Sequence, residues 1–127
     1  MMGLKIFIFV CNLIIPIIML FFGVKFKNHS PKNINGIYGY RTSMSMKNEE
    51  TWEFAHRYCG QLWIKLGFII LIISIIFSLI AFTYDDKAQG IMDLTLVTIQ
   101  TIALIVSIFP VEKELKKNFD KNGDRRN

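Results

Sequence analysis

Three apolar blocks stand out along the chain: Ile6 to Val24, Leu66 to Phe82 and Ile91 to Val111. Each is close to the roughly 20 helical residues, at about 1.5 Å per residue, that cross a hydrocarbon core about 30 Å thick. Ile and Phe are dense in them and would favour strands in water, but backbone groups inside a bilayer must be satisfied within the segment, so each block is predicted to be a helix. Thr83 to Gly90 joins the second and third blocks and is short enough for an antiparallel helical hairpin. The connector from Lys25 to Gln61 is much longer. Its first part is irregular, punctuated by Pro31, Asn33, Asn35, Gly36 and Gly39. A helix signal then begins at Asn48, a good N-cap, followed by Glu49 and Glu50 at the positive end of the helix dipole. Trp52, Ala55, Cys59, Leu62 and Leu66 follow at spacings of three and four, one apolar stripe running into the second block without a proline. The pattern predicts an all-α integral membrane protein of three spans, in which the second half of the connector is a helix continuous with span two, with Gly60 a point that permits a bend.

Composition supports this reading. The 127 residues are 52% hydrophobic and 20% charged, and the apolar residues are gathered into blocks instead of spread over amphipathic faces. The first block follows Lys5 but exceeds a signal-peptide core, and Lys25-Phe26-Lys27 after it lacks a small-residue cleavage site, so it is read as retained. The formal charge is +5. Its distribution is what matters: Lys5 and Lys87 flank one side of the three spans, whereas Lys25, Lys27, Lys32, Arg41, Lys47, Arg57, Lys65 and the tail from Lys113 to Arg126 flank the other. The bias toward positive residues on the inner side places the amino terminus outside the cell membrane, and the connector and carboxyl tail (residues 112–127) in the cytoplasm. The basic tail is expected on anionic lipid, with Leu115 and Phe119 turned toward the bilayer, and not on nucleic acid, for which sixteen residues supply no folded reading element.

Several constellations carry chemistry. In span two Gly60, Gly67, Ser74 and Ala81 recur every seven residues, a seam of small side chains for close helix approach. In span three Asp93, Gln100 and Ser107 recur at the same interval, drifting only about 20° per heptad. Mid-bilayer polar groups avoid lipid, so Gln100 is expected to point into the bundle, with Asn12 and Pro16 of span one as mates and Asp93 near the watered outer end. A structural hydrogen bond between spans and an ion site are both compatible with that stripe. Tyr58 and Trp63 suit an interfacial belt. Glu53 and Arg57, four apart, suit a surface ion pair. His56 and Cys59 could mimic a metal pair, but His29 and Cys11 are badly placed to complete a tetrahedral set, and no metal is expected. Cys59 faces the apolar stripe with no second histidine as base; no phosphate loop, paired carboxylates or cofactor cradle is present, and nothing argues for an enzyme. Two cysteines in such different settings make no disulfide framework.

The run Ile37-Tyr38-Gly39-Tyr40-Arg41-Thr42, then Ser45, Asn48, Trp52, Ala55, Arg57 and Gly60, resembles the bacterial SdpI family. The likeness begins near Pro31 and Asn33 and continues through Leu62-Trp63-Ile64-Lys65-Leu66-Gly67. Ser43 stands where proline is frequent, and His56 where asparagine is frequent. Longer members carry spans ahead of this unit. The resemblance implies immunity against a secreted, membrane-active peptide toxin and, in some members, retention of a transcriptional repressor at the membrane. It marks Gly39, Tyr40, Arg41, Thr42, Asn48, Trp52, Glu53, His56 and Arg57 as a binding platform. Arg41 either clamps a carboxylate or helix-end carbonyls over Tyr40, or ties the connector to Glu49, Glu50 or Glu53. Two other readings are a small pore or transport subunit assembled around the Asp93, Gln100 and Ser107 stripe, and an assembly partner of another membrane protein.

Overall fold

A computed structural model describes residues 2–126; Met1 and Asn127, the last residue of the tail, lie outside it. The described chain is all-α. Its helices are α1 (Met2–Asn12), α2 (Ile14–Asn28), α3 (Glu49–Ala81), α4 (Asp86–Val106) and α5 (Ile108–Asn118). They stack into three apolar rods, Met2–Asn28, Glu49–Ala81 and Asp86–Asn118, each long and apolar enough to cross a membrane. The protein is an integral membrane protein of three spans. Ile69, Ile72, Ile76 and Ile80 on α3, and Ile91, Leu94, Ile99 and Ile102 on α4, point outward and exposed, as lipid-facing side chains do.

At 33 residues α3 is about 50 Å long, well beyond a core of about 30 Å. It is unbroken through Gly60. Gly60 instead serves contact: a Cβ there would lie 2.6 Å from the Gly23 carbonyl oxygen and would also collide with the Lys27 amide. The α2 and α3 backbones touch at this point, and their mutual contact is the most extensive in the bundle. Gly67, Ser74, Ser78 and Ala81 continue the same buried line, the close packing by which helices associate where lipid supplies no hydrophobic drive.

The α3–α4 connection is shorter than the sequence pattern suggests. Asp85 caps α4 by accepting from the Ala88 amide at 2.8 Å, so Asp86 to Gly90 is helix and the turn shrinks to residues 82–85. The first and third rods are each interrupted once. Leu13 breaks the first, three residues before Pro16, and Ser107 breaks the third, three before Pro110; proline cannot donate to the carbonyl four residues back. At one end of the bundle sit the α1 amino terminus and the α3–α4 turn, with Lys5 3.9 Å from Asp86. The long connector, α5 and the tail occupy the other.

The tail departs from expectation. Leu115 and Phe119 are fully buried in a cluster with Tyr40, Met44, Ala55, Cys59 and Val111, not turned outward to lipid. Because α3 runs so far past the membrane core, it offers α5 an apolar protein face to cover. The Phe119 ring packs edge-on against Phe54 at 5.4 Å. The chain then doubles back in an isolated bridge between Phe119 and Arg125.

Candidate functional site

The connector is tied to α3 by a small set of buried polar contacts. Asn48 caps α3 in a reciprocal box: its side chain accepts from the Thr51 amide at 2.8 Å and the Thr51 hydroxyl accepts from the Asn48 amide at 3.0 Å. One turn on, the buried Trp52 donates its indole N–H to the Pro31 carbonyl at 2.9 Å. One turn further, His56, fully buried, takes both of its ring nitrogens into the fold. Nδ1 lies 2.8 Å from the Trp52 carbonyl, and Nε2 accepts from the Tyr40 amide at 2.8 Å. That pattern requires the neutral ring with its proton on Nδ1, and burial lowers the imidazole's proton affinity in the same direction. Both nitrogens are thereby committed, and the His56–Cys59 spacing has no lone pair on His56 to offer a metal.

Gly39 makes this approach possible. Its φ of +110° lies where side chains are strained, and a Cβ would fall 2.7 Å from His56 Nε2 and 3.3 Å from Pro31 Cγ. Tyr40, next in the chain, is buried and donates its hydroxyl to the Ile108 carbonyl at 3.2 Å. Burial first, then the Glu112 carboxylate, holds that phenol above its usual range. Thr42 and Ser45 close a compact turn, with the Ser45 hydroxyl reaching the Tyr40 carbonyl at 3.0 Å. One knot therefore joins the connector, α3 and the α4–α5 junction.

Arg41 lies outside the knot. It is exposed, and its Nε donates to the Asn35 carbonyl at 3.0 Å. Among the described residues no Arg41 ion pair with Glu49, Glu50 or Glu53 forms. Instead Glu53 pairs with Arg57 at 3.0 Å and Glu50 with Arg125 at 2.8 Å. Arg41, Glu53 and Arg57 thus present charge around a buried centre built by Gly39, Tyr40, Trp52 and His56. Thr51 and the Gly123 carbonyl were not among the residues expected at this site. The Asn48-x-x-Thr51 spacing is a capping-box signature and could have drawn attention to Thr51. No pattern signalled that Asn48 Nδ2 donates to the Gly123 carbonyl at 2.8 Å.

A second polar cluster sits within the spans. Asn12 donates to Ser78 Oγ at 3.1 Å and to Asp93 Oδ1 at 3.0 Å. Gln100 donates to Ser74 Oγ at 2.7 Å and to the Asn12 carbonyl at 2.8 Å. That carbonyl is the one Pro16 leaves free, four residues back in the helix. Ser107 is buried too, and the Trp63 indole donates to its hydroxyl at 3.1 Å, so Trp63 is anchored to the α4–α5 junction. Asp93 is 8% exposed; it turns into the bundle at the end opposite the connector, where it lines an opening between α1 and α4. Asn12, Asp93, Gln100 and Ser107 all face inward.

The SdpI/YfhL protein family model matches residues 32–111, which contain the knot, α3 and α4. The chain belongs to that family. A curated relative, the uncharacterized protein YfhL of Bacillus subtilis (strain 168), is 42% identical over 53 residues, covering 42% of this chain and 48% of that protein. The matched stretch thus spans about half of the relative's length. No solved structure matches this family member.

Proposed function

We propose that this SdpI-family protein is an immunity protein of the bacterial cell membrane, conferring resistance to a secreted, membrane-active peptide toxin. Its connector and tail face the cytoplasm and offer a platform for holding a transcriptional repressor. Family membership and the excess of basic residues on the connector side support this reading. The observation that carries it is the knot: Tyr40, Trp52 and His56 bind the connector to the same unbroken helix that crosses the membrane. A peptide that shifts α3 within the bilayer moves the exposed charges of Arg41, Glu53 and Arg57 with it, which is the mechanical requirement for reporting a membrane event to a soluble partner.

Expression in a strain sensitive to a sporulation-delaying peptide toxin tests the proposal: expressing cells survive and cells with the empty vector die. Equal survival of the two removes the immunity claim. Arg41→Ala separates platform from protection, since an exposed arginine held by one backbone carbonyl can be removed without disturbing the bundle. Labelling of a cysteine placed at Ile37, which is 89% exposed, by a membrane-impermeant reagent in intact cells would reverse the orientation. A pore assembled around Asp93, Gln100 and Ser107 is disfavoured, because all three are buried within one chain and unavailable to line a channel between copies.

A further inference from the structure

At the end of the bundle opposite the connector, a cavity of about 190 Å³ opens between the amino-terminal parts of α1 and α4. It is more than ten times the roughly 10–15 Å³ that one water needs. Leu4 and Ile8 provide an apolar wall, and Lys5, Asp86, Gln89 and Asp93 provide its polar lining. Asp93 is the unusual member. It is 92% buried by the complement of its 8% exposure. Its Oδ1 is taken by Asn12 at 3.0 Å, while its Oδ2 is buried without any hydrogen-bond partner. Among the described residues it has no ion-pair partner, since Lys5, the nearby basic residue, reaches Asp86 at 3.9 Å instead.

A buried carboxylate with an idle oxygen calls for a donor that brings charge with it. We propose that this cavity binds a primary ammonium group on an apolar stem, the lysine side chain of a membrane-embedded peptide, with Asp93 as its counter-ion. The free valence selects the chemistry. A guanidinium matches two carboxylate oxygens side by side, and here one is already occupied by Asn12; an ammonium is a compact charge that a single carboxylate oxygen can hold. The methylene stem lies along Leu4 and Ile8 while the head reaches the carboxylate. Lys5 carries the same chemical group and lines the same cavity, so it competes with the incoming ammonium. The identification of the carrier as a peptide rests on the immunity reading; the ammonium site does not.

Full-length protein in lipid nanodiscs, titrated with n-butylammonium chloride and followed by its thermal midpoint, tests the site. A ligand that binds only the folded form raises the midpoint saturably. The expected result is a saturable rise that equal concentrations of n-butanol and sodium chloride do not reproduce, and that Asp93→Asn abolishes; the asparagine keeps an oxygen for Asn12. Lys5→Met, which leaves Asp93 in place, removes the competitor and shifts the titration to several-fold lower concentration. A rise that survives Asp93→Asn, a rise matched by sodium, or a titration unmoved by Lys5→Met overturns the proposal. Toxin-sensitive cells that die despite expressing a butylammonium-binding protein would sink the immunity reading and leave the site intact; cells that survive with a protein that ignores butylammonium would sink the site alone.

Discussion

Gly39→Ala is the sharpest perturbation of the knot. The residue's φ is +110°, a region where a side chain carries strain of about 1–3 kcal/mol. The new Cβ would stand 2.7 Å from His56 Nε2, the atom that accepts from the Tyr40 amide at 2.8 Å. To relieve the overlap the connector must lift away, and that hydrogen bond is lost in a buried setting, which adds about 1–3 kcal/mol. Taking about 3 kcal/mol from the combined range, the opened form becomes about 100-fold more populated, at 1.4 kcal/mol per decade. Cys59 reports the opening. It is 1% exposed and shares the buried cluster with Tyr40, and burial pushes its thiol up to about 12, so it reacts from the opened form. In a Cys11→Ala background, Gly39→Ala should accelerate Cys59 labelling in nanodiscs by about two decades. Gly36→Ala is the control, because its Cβ would meet only Arg41 Nη2 at 3.8 Å, an ordinary contact. Labelling of Gly39→Ala within threefold of the parent, or Gly36→Ala accelerating it equally, would refute the knot.

Acid should loosen the same contact. His56 has its pKa lowered by burial, so the folded form binds fewer protons than the unfolded form and stability rises with pH. This contribution is complete above about 6.5 and declines as pH falls from there toward the depressed folded value; Trp52 fluorescence in a Trp63→Phe background should change over that window, and His56→Asn, which cannot titrate, should flatten it. In the spans, Gln100→Leu strands the Asn12 carbonyl that Pro16 leaves free and should destabilise by about 0.6–1.7 kcal/mol in a denaturant titration. Pro16→Ala restores a backbone donor, so the double variant should lose less than the sum of the singles, and strict additivity would count against the pairing. In the tail, Phe119→Ala removes a fully buried ring and should destabilise by about 3–5 kcal/mol, read as faster tryptic cleavage after Lys121. Arg125→Ala removes an exposed ion pair with Glu50 and a partly exposed cation–π contact with the Phe119 ring, and should change stability by no more than about 2 kcal/mol.

Block length and hydropathy decided the three spans before any fold was known, because a bilayer demands about 20 apolar residues with every backbone group satisfied internally. The uninterrupted stripe from Trp52 to Leu66 likewise announced that the connector helix enters the membrane. Periodicity also put Asn12, Gln100 and Ser107 on inward faces. The exact partners were another matter. That Gln100 would seek the Asn12 carbonyl released by Pro16 depends on the depth at which α1 and α4 settle against each other. Gly39 was visible as a motif letter, but its necessity emerges only when the positive φ and the His56 ring occupy the same few ångströms. Asp85 as a cap shortened the α3–α4 turn, since a side-chain acceptor at the right distance from an amide extends a helix beyond its apolar run.

Leu115 and Phe119 mark the boundary most clearly. A pair of apolar residues in a basic tail reads the same whether it meets lipid or protein, since both are dry; hydrophobic pattern specifies what must leave water and not what receives it. Only the assembled molecule places the projecting end of α3 beside α5, where Ala55, Cys59 and Phe54 accept those side chains. Asp93 follows the same logic in the opposite sense. Its position in a polar stripe is plain from spacing, whereas its buried, unpartnered oxygen and the cavity beside it arise from α1 and α4 meeting, a property of no single segment.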